Sequence, residues 1–107
     1  MFDGSKNIIA SSEGHGHDTV RQALVSVILE KILLEIGLAT YDKVVDELKK
    51  RYQCYLTDCY EHPEYLNVIL KDLYGNSYRQ IVKSINEQLE EFSSQRPIAK
   101  FIELVGQ

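Results

Sequence analysis

From Asp18 to Val105 apolar residues return every three or four positions, in segments cut by Gly37, Pro63, Gly75 and Pro97. At 3.6 residues per turn that spacing gathers them on one side of a helix. Each such face needs a partner, and in a chain of this length only the other faces can supply it. The pattern predicts an all-α fold: a compact bundle of four main helices plus a short C-terminal helix.

The first helix is expected over 19–36, with Asp18 as N-cap and Gly37 as its stop. Val20, Leu24, Val27, Ile28 and Ile32 form its core stripe, with Ala23 on the same side. Leu29, Leu34 and Ile36 widen that stripe enough to make this the central helix. Thr40 can cap a second helix whose inner face is Tyr41, Val44, Val45, Leu48 and Tyr52. On its outer face Asp46–Lys50 and Glu47–Arg51 have the favourable acid-first spacing. The rhythm fails from Gln53 to Thr57, read as a short extended link. Pro63 suits the first turn of a third helix, where a missing N–H costs nothing. Its face is Leu66, Ile69, Leu70 and Leu73, with Tyr65 and Val68 beside it, and Gly75 ends it. Ser77 opens a fourth helix carrying Tyr78, Ile81, Val82, Ile85, Leu89 and Phe92. After the break at 93–96, Pro97 starts a last one with Ile98, Phe101, Ile102 and Val105. Residues 53–62 and the last helix are the segments that short strands could use instead. Residues 1–17, rich in Ser, Gly and Asn, are expected to form a flexible N-terminal arm, and 18–107 a single helical domain.

Bulk charge and composition exclude some roles. The chain has 107 residues and a net charge of −4, which disfavours a general nucleic-acid binder. Its most apolar run, ALVSVILEKILLEIGLA, is interrupted by Glu30, Lys31 and Glu35, so no membrane span is expected. The N-terminus lacks a basic stretch followed by an apolar block, and two cysteines without such a leader point to free thiols in the cytoplasm.

The stretch YQCYLTDCYEHPEYL, 52–66, holds the densest chemistry. Cys54, Cys59 and His62 form C-x4-C-x2-H, ligand types that zinc favours. A structural zinc site usually draws on two short ligand pairs, and no second pair follows. A redox pair would need C-x-x-C at a helix start, a spacing that is absent. The structural reading explains more residues. Asp58 with Glu61 resembles a capping box, Pro63 fixes the first turn, and Glu64 complements the helix dipole. The cysteines then serve as small apolar groups. No metal and no cofactor is therefore expected, with Cys54, Cys59 and His62 as the candidates should a metal bind.

Other features are weaker. His15 and His17 beside Asp18 make a polar arm that would have to be ordered before it could hold a metal. All seven tyrosines lie between residues 41 and 78. Tyrosine combines a large ring with a polar tip, which suits a protein interface, and Tyr55, Tyr60 and Tyr65 are the candidate contact residues. Arg79 and Lys83 could place a turn and recognition helix on DNA, but the segment 58–92 holds seven acids against three bases. No P-loop, GxSxG, GxGxxG or HExxH is present, and no catalytic residue is expected.

The run from Ile36 to Leu89 carries Gly37, Val44, Leu48, Tyr52, HPEYL at 62–66, LKDLYG at 70–75, Ile81 and Ile85. In this pattern the chain resembles the thaumarchaeal, Nitrosopumilus-type output-domain family. The resemblance implies an all-helical archaeal output module of signal transduction, with no catalytic motif to carry over. The functional expectation is a non-enzymatic protein-interaction or regulatory module, acting on a protein partner or as a homodimer. The alternatives are a metal-responsive regulator using Cys54, Cys59 and His62, and a helix-turn-helix DNA-binding domain.

Overall fold

The computed structural model describes the backbone of residues 5–107 and the side-chain surroundings of residues 19–107. The described residues form five α-helices and no strand: α1 (Ser5–Ile36), α2 (Leu38–Tyr52), α3 (Pro63–Tyr74), α4 (Tyr78–Leu89) and α5 (Arg96–Val105). Short 3-10 turns at Leu56–Tyr60, Gly75–Ser77 and Glu90–Phe92 join them. The all-α bundle is as expected. Neither 53–62 nor the last segment takes the strand alternative.

The start of the chain differs from the sequence reading. Helical backbone runs through Asp18 back to Ser5, so Asp18 does not cap α1. Residues 1–4 of the expected arm lie outside the described residues, as do the side chains of His15 and His17.

The phase of α1 is the larger correction. Its buried apolar residues are Val25, Leu29, Ile32 and Leu33, which line one side of the helix and enter the core. Of the expected stripe only Ile32 is buried, and of the three residues expected to widen it only Leu29. Leu24 and Ile28 sit at its margin, while Val20 and Val27 are 68% and 61% exposed. The cause is physical. At 100° per residue, Val20, Val27 and Leu34 fall almost opposite Leu29. Both sides of α1 are apolar, so periodicity alone gives no unique inward direction. Nor is α1 wrapped on all sides. It packs on α2, on α4 and on the Leu56–Tyr60 turn, leaving its outer side open.

The remaining helices each bury a single face. Val44 and Leu48 of α2, Leu66, Ile69 and Leu70 of α3 and Ile81, Ile85 and Leu89 of α4 share one core, in which α2 packs on α3 and α3 on α4. Gly37 ends α1 as expected, but α2 begins directly at Leu38, ahead of Thr40. Its far end turns on Gln53, in the left-handed region at φ 54°, whose N–H returns to Lys49 O at 3.0 Å. The following residues close into the Leu56–Tyr60 turn where an extended link was expected. At the other end of the domain, α5 is fastened by two polar contacts. Asn67 Nδ2, buried on α3, donates to Val105 O at 2.9 Å, and the Tyr78 hydroxyl donates to Gly106 O at 3.0 Å.

Candidate functional site

The Tyr52–Leu66 stretch is built as a corner. Tyr55 is extended, and its N–H donates to Asp58 Oδ2 at 2.7 Å. The Asp58 carbonyl accepts from Glu61 N at 3.1 Å and His62 N at 3.0 Å. Asp58 thus organises the 3-10 turn before α3. It does not cap α3 itself, because His62 occupies that position. Pro63 does stand in the first turn of α3 as expected. Gln22 Nε2 donates to Thr57 O at 2.9 Å, tying the corner to α1, and Leu56 and Cys59 are buried beneath it.

The candidate ligands diverge. Cys59 is fully buried, and burial above all pushes its thiol well above the ordinary range, so it stays protonated. Cys54 is half-buried, and its thiol is also raised, chiefly by desolvation and then by the Asp58 carboxylate. His62 is exposed, with Nδ1 3.1 Å from Glu64 Oε2 and its ring against Tyr65. Thiolate ligands need the opposite environment. Among the described residues no three His, Cys, Asp or Glu side chains converge as metal ligands would. Cys59, three residues before His62, could be read as a nucleophile beside a base, but its thiol is raised where activation would lower it.

The three candidate tyrosines have different surroundings. Tyr65 lies parallel to Tyr52, with ring centroids 3.9 Å apart and 4° between planes, and parallel to His62 at 4.6 Å and 7°. Two parallel rings that close cannot share one face of Tyr65, so Tyr65 is sandwiched between them. Tyr60 covers Phe101 at 6.4 Å. Both rings therefore spend much of their surface inside the domain. Tyr55 does not; it is 65% exposed.

Tyr55 instead forms one wall of an open groove of about 420 Å³ between α1, α2 and the 3-10 turn. Ala23, Val27, Tyr41 and Val45 supply apolar floor and sides, and Glu30 stands at the edge, within 3.5 Å of the Tyr41 hydroxyl. Val27 and Glu30 also border a shallower depression with Lys31 and Leu34. The groove thus continues into the exposed outer side of α1. Sequence reasoning selected Tyr55 but missed this surface, since it assigned Val27 to the core. The signal was present in the double set of apolar positions along α1.

Arg79 and Lys83 are exposed on α4, away from its buried Tyr78, Ile81, Ile85 and Leu89. On the outer face of α2 the two pairs expected from the spacing form, Lys50 with Asp46 at 3.0 Å and Arg51 with Glu47 at 2.7 Å, and Arg51 also reaches Asp72 of α3 at 2.6 Å. Among the described residues no helix is long and apolar enough to cross a membrane. Comparison with protein-family models, curated proteins and solved structures finds no match.

Proposed function

We propose that this chain is a non-enzymatic interaction module that acts through the α1–α2 groove and the adjoining outer side of α1. The observation that carries the reading is the continuity of this surface. Val20, Val27 and Leu34, with the 65% exposed ring of Tyr55, form one apolar tract along a single side of the domain. Scattered exposed apolar residues need no explanation, but a contiguous tract rimmed by charge is the usual form of a contact surface. A rigid aromatic at its edge supplies the kind of anchor on which binding energy concentrates.

The chemistry elsewhere supports the same direction. The thiols are held protonated, and the histidine of the corner is engaged with a carboxylate and a ring. The regulatory, signal-output role implied by the resemblance of residues 36–89 belongs to this proposal, as do a cytoplasmic setting and an archaeal origin. Tyr60 and Tyr65 enter it as supports that hold the corner, with Tyr55 as the contacting ring.

The test is association with the surface altered. Wild-type chain and the Tyr55→Ala and Val27→Glu variants are compared for self-association and for capture of proteins by chemical cross-linking. Both variants should keep the wild-type helical circular dichroism and lose association about tenfold or more. Association of both variants at wild-type strength would refute this assignment.

A further inference from the structure

The groove beside Tyr55 carries one charge, and its sign narrows what can fill it. Among the described residues lining it, Glu30 is the one charged side chain, while Ala23, Val27, Tyr41, Val45 and Tyr55 make apolar walls. Glu30 is exposed and has no base one turn away on α1, where its neighbours are Ser26, Val27, Leu33 and Leu34. Lys31 takes no part in the groove wall and stands on the other flank of the Val27–Leu34 line. Asp46 and Glu47 of α2, by contrast, each hold a base one turn on. Glu30 thus leaves an acid facing an apolar groove with two phenol rings, surroundings that favour a cation over a neutral or acidic group.

We infer that this groove takes an amphipathic helix of a partner protein, with a lysine or arginine among its apolar anchors that pairs with Glu30. This rests on the interaction reading above and names the chemistry of its partner. The helix follows from hydrogen bonding. Polar groups in the groove wall are already engaged: Ser26 Oγ donates to Gln22 O at 2.6 Å, and Thr57 O accepts from Gln22 Nε2 at 2.9 Å. An incoming main chain therefore has to satisfy its own N–H and C=O groups, and a helix does so. The length fits as well. The groove and the adjoining depression share Val27 and Glu30 and run from Ala23 to Leu34. At 1.5 Å per residue that run is about 16 Å, roughly three helical turns. Glu30 stands near its middle, so the base belongs at the centre of the docking face, with apolar residues one turn to either side. The aliphatic stem of such a base can lie on apolar wall while its head reaches the carboxylate. The chain's net charge of −4 also favours a basic segment over a second copy, which brings the same charge.

The experiment is selection of a displayed library of helical peptides on the full chain. Leucine is fixed at three positions one turn apart, and the positions beside them are random. Peptides held by wild type should be enriched in lysine and arginine next to the fixed leucines. Glu30→Lys should select aspartate and glutamate there instead. In solution, the best wild-type peptide should bind Glu30→Lys about tenfold or more weakly by fluorescence anisotropy. It should bind Glu87→Lys, an equal change of charge at an exposed position on α4, within about twofold of wild type. No enriched peptide, peptides without a basic preference, a preference that Glu30→Lys leaves unchanged, or equal weakening by Glu87→Lys overturns the inference. So does a chain that, without peptide, reaches twice the 12.3 kDa mass through the Val27 surface, because a second copy then fills it. If Tyr55→Ala and Val27→Glu still lose cross-linked association in any of these cases, the interaction reading stands and only the occupant was wrong. If they keep it, both fall.

Discussion

Cys59 shows most plainly what a residue's surroundings do to its chemistry. In the sequence it stands among ligand types. In the fold it is fully buried, and its thiol is raised by desolvation. An unfolded thiol ionises near pH 8.5. Below that value neither state loses the proton, so the stabilising effect of keeping the thiol neutral is fully present. Above it the unfolded chain releases a proton that the folded chain retains, and stability falls as pH rises toward the folded thiol's pKa. Denaturant melts between pH 7 and 10 should show this decline, and Cys59→Ala should flatten it. A slope unchanged in the variant would contradict the assignment. Cys54 should react with a thiol reagent in the native state, and Cys59 only on unfolding. The spacing of the two cysteines was legible in the sequence, but their unequal burial was not, because it depends on the corner closing over one and not the other. The same holds for Asn67. Nothing local marks its polar group for the interior, and its partner, the Val105 carbonyl, is 38 residues away. Asn67→Ala should destabilise by about 1–3 kcal/mol, read from urea unfolding, because it leaves that carbonyl without a buried donor.

At the level of elements, the helices with one apolar face were legible. On α2, α3, α4 and α5 the inward direction is set by contrast with a charged or polar side, and Val44, Leu48, Leu66, Ile69, Ile81, Ile85, Leu89, Ile98 and Phe101 are buried as their spacing predicts. Pro63 and Gly75 mark α3 for local reasons, one by its fixed φ and the other by a positive φ of 53°. Gln53 also has a positive φ, but in the left-handed helical region that a non-glycine residue can adopt, and so gave no warning of the turn there. Gln53→Gly should raise stability slightly and Gly75→Ala should lower it by about 1 kcal/mol or more, through backbone strain, since no atom obstructs a Cβ at Gly75. On α1 contrast was missing, and its phase was lost. The decisive pair is Leu29 and Val27, two residues apart on opposite sides of one helix. Leu29→Ala should lower unfolding free energy by about 2–5 kcal/mol. Val27→Ala, measured at concentrations too low for association, should change it by no more than about 0.5 kcal/mol. Equal losses would mean that the two sides of α1 have been interchanged.

For the whole molecule, the bundle can be understood as four helices closed around one core and a fifth, α1, that contributes one side to the core and keeps another outward. The short turns hold this arrangement in place. Gln22 and Thr57 fix the Tyr55 corner to α1, the Tyr52–Tyr65–His62 stack braces α2 against α3, and Asn67 and Tyr78 hold the end of α5. The result is a domain with a continuous apolar tract down one side, and the proposed function follows from what such a tract does in water. Its most direct test is native mass spectrometry of the untagged chain, purified without chelator. The expected result is a species above the 12.3 kDa chain mass, formed with a second copy or a captured protein, that collapses to the single mass in Val27→Glu, with no added metal in either. Assemblies that persist unchanged in Val27→Glu, or chains each carrying one zinc, would contradict it.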